Sequence, residues 1–411
     1  MSITQSGLFT ADTGAGAHTI TATVGGVVGQ AIATVAAASW TASVNATTYD
    51  PIYDAVVANV AVVHIISGLN TVAYGRSTDN GVTFSPLVSL GSGTPYLERP
   101  LAISGLTLGL ATVNANQVIT DFFGQRNVGD ISIRRSTDAG VTWTVTPIVA
   151  TAGAKALRMT LSISPSTSIW QLVWMDYRNN RWDIYHARSL DAGLTWEAST
   201  LLVTGTNSIG AERPVMAVNG ADIHVAWMDG RDNKPSTTIE GGTVLPFSTE
   251  IYYKKSTDSG ATWGADIKVT NSAAYAGRPD ISVLGSGVVV MSYDYRPDST
   301  GNEIGIKRST DGGATWSAQQ LLTNVAGDST HSFLANSATA ATVYCAYKDT
   351  RAGLTNNFMR KSVDSGATWG TEEQISETQS HIPAIFEANG YLHGVWRRAD
   401  NGFLQYRRKT L

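Results

Sequence analysis

The chain has 411 residues, 43% of them hydrophobic and 15% charged, so a substantial core can be buried and wholesale disorder is excluded. A formal net charge of -4 excludes nucleic-acid recognition by bulk positive charge. No run of about 18 apolar residues offers a helical membrane span, and 40 glycines with so few charges favour strands and turns over surface helices.

The opening residues, MSITQSGLFT, lack the basic and apolar regions of a secretory leader. The expectation is a chain trimmed from a longer secreted protein, or one that reaches the outside by another route. Residues 1–38 are rich in Thr, Val and Gly and alternate as strands, with Gly25-Gly26 placed as a hairpin turn. This segment resembles half of a bacterial Ig-like domain. Half a domain cannot bury its own core, so it is expected to dock on the rest of the chain or on another protein.

From residue 39 onward the sequence repeats. RSTDNGVTF (76–84), RSTDAGVTW (135–143), RSLDAGLTW (188–196), KSTDSGATW (255–263), RSTDGGATW (308–316) and KSVDSGATW (361–369) are copies of one motif. Their aspartates, Asp79, Asp138, Asp191, Asp258, Asp311 and Asp364, lie 59, 53, 67, 53 and 53 residues apart, a period typical of solenoids and propellers. Alternating segments such as ADIHVAW (221–227) read as half-buried strands, and helical periodicity is sustained nowhere. Each unit therefore reads as four antiparallel strands, A to D, with the motif in the turn between C and D. Ser and Asp can bond turn amides, Gly supplies positive φ, and the closing aromatic anchors the turn.

These six copies resemble the Asp-box (BNR) repeats of the sialidase-like β-propellers, over residues of about 40 to 411. The resemblance implies an all-β propeller of four-stranded blades, with the boxes on the face away from any ligand site. The last stretch, from His381 to Leu411, supplies three strands and no box. Its fourth strand can come from SWTASV (39–44), which joins the two chain ends in one sheet. Seven blades are expected, with six the alternative.

Loops before strand A and after strand B share the face opposite the boxes. Before or at strand A stand Arg99, Arg158, Arg213, Arg278, His331 and His381; at the end of strand B stand Arg126, Arg178, Arg231, Arg296 and Arg351. As a group they read as an electropositive funnel for acidic sugars, since guanidinium forks bind carboxylates. The competing reading is structural. Asp176, Asp229, Asp294 and Asp349 precede four of the strand-B arginines by two residues, and repetition across blades favours scaffold pairs there. For the strand-A arginines both readings stay open.

The resemblance to sialidases implies a carboxylate-binding arginine triad, an aspartate acid/base and a tyrosine nucleophile polarised by glutamate. The segment 278–316 would make Arg278 a triad arginine, Arg296 its neighbour and Asp298 the acid/base; the segment 99–143 would nominate Arg99, Arg126 and Asp130 instead. No Arg-Ile-Pro is intact, and His381-Ile382-Pro383 has histidine where the arginine belongs. Tyr96 with Glu98, or Tyr275 beside Arg278, are the candidates for the tyrosine. The long loop 230–250 accounts for the 67-residue spacing and is expected to form a rim on the ligand face.

The single cysteine, Cys345, forms no internal disulfide. The seven histidines show no metal-ligand spacing, and no cofactor motif is present. A structural Ca²⁺ in an acidic loop is neither argued for nor excluded. The leading expectation is a non-catalytic binder of acidic glycans or cell-surface polysaccharide, on a cell surface or virion. Residues 1–38 would meet other surface or virion proteins, with no nucleic-acid or membrane partner. An exo-glycosidase of sialidase type is the alternative, and a structural assembly component the third reading.

Overall fold

The computed structural model of the protein describes residues 2–3, 9–10, 16–24, 27–35, 40–41, 44–45, 54–59 and 62–411, less 68–70, 96–98, 123, 147–152, 235–238, 241–242, 245–246, 273–274, 297–300, 338–340, 378 and 400–403. It is all-β, and the one helical element among the described residues is a 3-10 turn at Arg351–Gly353. The repeat unit is a set of four antiparallel strands, called a sheet below; five units stand as separate four-stranded sheets, and two, joined where Gly129 pairs with Ala156, make one eight-stranded sheet. Ala211–Asn219 pairs with Asp222–Asp229, which pairs with Glu250–Ser256, which pairs with Ile267–Lys268.

We label the first strand of each such sheet β1 (Asp54–Asn59), β2 (Leu101–Ser104), β3 (Ala156–Ile163), β4 (Ala211–Asn219), β5 (Tyr275–Val283), β6 (Ser329–Asn336) and β7 (Ala384–Ala388). Each sheet takes the name of its first strand. β1 packs against β2, and the contacts continue in order to β7, which packs against β1. In the β7 sheet, the last strand, Leu404–Thr410, pairs with Val44–Asn45, and Trp40 bridges Lys409. Residues 16–24 pair antiparallel with residues 27–35; Gly25-Gly26, the expected turn, lies outside the described residues.

The strands near the centre are more buried than alternation implies. Trp170–Asp176 is buried at every residue, because each sheet is sandwiched between two neighbours and has no solvent face there. The core lies between sheets: Val215, Ala226 and Met228 of the β4 sheet interlock with Ile281, Val283 and Met291 of the β5 sheet. The outermost strands, such as Val88–Ser92, turn a largely exposed face outward.

All six repeated turns share one hydrogen-bond pattern. In the β2 sheet, Ser136 Oγ donates to Asp138 (2.8 Å) and accepts from Gly140 N (2.8 Å), while Thr142 donates its N–H (2.9 Å) and hydroxyl (2.6 Å) to the same carboxylate. Gly140 has φ of 77°, as the repeat anticipates, and Ala139 before it is left-handed too, at 54°. The turns also join neighbouring sheets. Arg135 donates to the Ala192 carbonyl (2.8 Å), Arg308 to Ser365 (2.8 Å), and Arg408 of the β7 sheet to Asn80 of the β1 sheet (2.7 Å). Trp143 meets Tyr74 of the preceding sheet edge-on at 5.0 Å, and Trp316 meets Tyr253 at 5.3 Å. The closing aromatic thus anchors its turn to the sheet before its own, a contact worth about 0.5–1.5 kcal/mol beyond buried area.

These groups set the acid response. Burial holds His64 and His186 at about 3, and His224 and His393 at about 4, so they stay neutral in the fold while the unfolded chain protonates below about 6.5. The Thr hydroxyls and amides hold Asp138, Asp191, Asp258 and Asp364 at about 2. Both shifts are downward, so both sets favour folding at neutral pH and lose that contribution as pH falls. The histidines act below about 6.5 and the aspartates below about 4. The expected result is a melting temperature that declines steadily from pH 7 to pH 4 and steeply from pH 4 to pH 2; thermal melts with no decline between pH 7 and pH 5 would refute the histidine contribution.

Candidate functional site

Four neighbouring first strands carry the same irregularity. Their register slips at Leu157/Met159, Glu212/Val215, Gly277/Asp280 and Thr330/Phe333. Inside each slip one residue is left-handed: Arg158 (φ 46°), Arg213 (53°), Arg278 (46°) and His331 (56°). A bulky residue in this region costs about 1–2 kcal/mol, which the surrounding sheet must sustain. A bulge of this kind re-aims its side chain, and here all four line one cavity of about 70 Å³, with Arg99 and Ile382. Since the strands of each sheet alternate in direction, this mouth opens opposite the repeated turns.

Arg99 closes the floor. It reaches from the β2 side to Asp280 on β5, with Nη2 at 2.7 Å and Nε at 3.2 Å, and donates to the Leu334 carbonyl on β6 (2.5 Å). Its guanidinium lies 4.1 Å from the ring centroid of Phe333. Arg99 and Phe333 also cap a second chamber of about 340 Å³, lined mainly by apolar residues such as Leu161, Met216 and Ile281. They therefore separate a charged mouth from an apolar channel.

Asp294 is buried and serves two strands at once. It accepts from Arg278 Nη1 (2.8 Å) and from the His331 amide (2.9 Å). Elsewhere the Asp-x-Arg motif closes on itself: Arg178 pairs with Asp176 (2.6 Å), Arg231 with Asp229 (2.6 Å) and Arg351 with Asp349 (2.7 Å). Each of these guanidiniums also lies over an aromatic ring of the adjacent strand, Tyr185, Tyr252 or Phe358. The pairs sit within one sheet, so they brace strand ends and do not weld neighbouring sheets together. Arg296 differs. With Asp294 given to Arg278, Arg296 meets no carboxylate among the described residues.

His331 is half-buried at the mouth, its Nδ1 3.1 Å from Thr330 Oγ1. Burial pushes the imidazole well below 6.5, and the charges of Arg278, Lys348, Arg213 and Arg158 push it the same way. Lys348 is itself lowered by burial and by Arg278. The sequence reading did not single out Lys348, although a signal was present: it stands before Asp349 where Met175, Met228 and Tyr293 precede their own aspartates. His381 is exposed, and its neighbour Ile382 lines the cavity.

The alternative grouping of Arg99, Arg126 and Asp130 is not brought together at the mouth. Arg126 lies near the tip of the long hairpin Thr107–Asp121 and Gly124–Ser136, where it pairs with Asp121 (2.6 Å) and reaches Glu212 at 3.4 Å. It ties that hairpin to the start of β4. Asp130 accepts from Asn116 within the same hairpin (3.3 Å). Tyr275 is buried, and its ring packs on Gly277. Asp298, Tyr96 and Glu98 lie outside the described residues. In the loop 230–250, Lys234 ties its start to Glu250 (2.8 Å), and Ile239–Glu240 pairs with Thr243–Val244. Among the described residues no cluster of His, Cys, Asp and Glu could hold a metal ion, and no helix is long and apolar enough to cross a membrane.

No family model matches the chain. It is 26% identical over 153 residues to a sialidase of Bacteroides fragilis, a match that covers 33% of this chain and 28% of that protein. Among solved structures it is similar to the polysaccharide lyase PL25 ulvan lyase, with a TM-score of 0.62, 9% identity, and coverage of 87% of this chain and 93% of that one. A second ulvan lyase structure, bound to -[GlcA(1-4)Rha3S]-, gives 0.61. The phage phi92 endosialidase gives 0.51, with 12% identity and coverage of 91% of this chain and 69% of that one. The chain has the sialidase-like β-propeller fold.

Proposed function

We propose that this chain is a closed, seven-bladed propeller that binds acidic glycans at its mouth without cleaving them, as an attachment protein of a cell surface or virion. The convergence of four strained bulges, presenting Arg158, Arg213, Arg278 and His331 to one cavity, carries this reading. Scaffold arginines need no left-handed backbone, as Arg178, Arg231 and Arg351 demonstrate. A cluster of guanidiniums suits a carboxylate or sulfate, and the ligand of the second ulvan lyase structure carries both kinds of group. The lining favours binding without cleavage. No tyrosine lines the described cavity, and its one carboxylate, Asp280, is held by Arg99 and by the Leu334 amide (2.6 Å). Residues 1–38 are proposed to meet a partner protein.

One observation favours a second reading. Arg296 meets no carboxylate among the described residues, which suits a substrate-binding role in a sialidase-type hydrolase that uses Asp298. A fluorogenic sialoside and an array of carboxylated and sulfated glycans separate the two. The expected result is selective retention of acidic glycans without turnover, weakened at least about tenfold in Arg213→Ala and within about twofold of wild type in Arg231→Ala. Turnover that Asp298→Asn abolishes would establish the hydrolase. A wild-type protein that neither turns over nor retains any glycan would leave the assembly role.

A further inference from the structure

Three adjacent sheets place arginine at the left-handed bulge, and the fourth places histidine there. The backbone φ at His331, 56°, matches the 46° to 53° of Arg158, Arg213 and Arg278, and the four side chains line the same cavity. Arginine at this position carries a permanent charge, whereas histidine carries one that depends on its surroundings. We infer that the mouth takes up its anionic group together with one proton, which His331 receives. The inference rests on the acidic-glycan reading and adds how binding is regulated.

Four cations face His331 from four strands, while Arg99 and Asp280, which line the same cavity, are paired with each other. Arg278 approaches from β5, Arg213 from β4, Arg158 from β3, and Lys348 from the second strand of its own sheet. Among the described residues the carboxylates beside it are Asp294, which accepts from Arg278 and from the His331 amide, and Asp280, which accepts from Arg99 and from the Leu334 amide, so both are occupied and offer the ring little. In the empty mouth a charged imidazolium would sit half-buried among four cations, and the neutral form prevails. A bound carboxylate or sulfate reverses both conditions. It offsets the surrounding positive potential and gives an imidazolium N–H an acceptor.

The sign follows from linkage. The occupied site holds more protons than the empty one, so affinity rises as pH falls through the His331 pKa of the complex. It levels off only below the lower value of the empty site.

Inorganic sulfate is a suitable probe, because its own charge does not change between pH 5 and pH 8. The dissociation constant of the full chain for sulfate is expected to fall by up to about tenfold per pH unit across part of this range. Calorimetry in two buffers of different ionisation enthalpy should show uptake approaching one proton. His331→Arg, which the same bulge accommodates in three neighbouring sheets, should bind tightly at pH 8 and lose the pH dependence. His331→Gln should bind weakly, with an equally flat profile. Sulfate binding by the wild type without proton uptake overturns the inference and leaves the acidic-glycan reading standing. Undiminished uptake in His331→Gln does the same. No binding of sulfate or glucuronate by wild type or His331→Arg at any pH overturns both. Absence of proton uptake by the wild type overturns the inference even where a variant fails to fold.

Discussion

Replacing Arg278 by alanine is expected to remove anion binding and to lower stability by about 3–5 kcal/mol, because it strips a buried carboxylate of its charged partner. Asp294 is fully buried, and the variant takes from it the charged Nη1 donor of Arg278 while the His331 amide remains. Part of the loss should be recovered in Arg278→Ala/Asp294→Asn, since a neutral amide costs less to bury than a carboxylate. Chemical denaturation of the wild type, the two single variants and the double variant measures the coupling. A single variant within about 1 kcal/mol of wild type would show that Asp294 is not carried as an ion in the fold. Anion binding should not return in the double variant, because the bulge then presents no cation. The two readouts therefore separate Arg278 as a support for β6 from Arg278 as a ligand.

The fold was legible because its determinants are local and repeated. Ser136, Asp138, Gly140 and Thr142 satisfy one another within seven residues, so the turn can be read from one copy, and six copies set the period. The mouth was only half legible. The positions of Arg158, Arg213, Arg278 and His331 in the repeat were visible, but the left-handed backbone that aims them depends on how β3 to β6 slip in register. Partner exchange was invisible for a similar reason. Asp294 stands two residues before Arg296, as Asp229 does before Arg231, yet it belongs to Arg278, 16 residues away in sequence and adjacent only across the sheet. Arg99 is the extreme case, since its partner Asp280 is 181 residues distant. Sequence spacing describes what a strand end can reach along its own chain and says nothing of what faces it across a channel.

Glycine 140 is expected to be among the least replaceable residues of the turn face, although it touches no ligand site. Its φ of 77° is one reason. The second is that a Cβ there would overlap the hydroxyl of Tyr74, which belongs to the preceding sheet and is held by His64 Nδ1 at 2.8 Å. Gly81 stands in the same relation to Tyr406, and Gly313 to Tyr253. Gly140→Ala is therefore expected to cost about 2–4 kcal/mol, as backbone strain adds to overpacking against a buried ring. Gly105 supplies the control. It is left-handed as well, at 58°, but a Cβ there meets nothing, so Gly105→Ala should cost only about 1 kcal/mol. Urea denaturation of both variants, with Tyr74→Phe and its combination with Gly140→Ala, isolates the steric part. Removal of the Tyr74 hydroxyl should return about 1 kcal/mol or more to Gly140→Ala, beyond its own effect in the wild type. Equal costs at Gly140 and Gly105 would mean that left-handed backbone alone selects the glycine, and that the turn does not lock one sheet against the next.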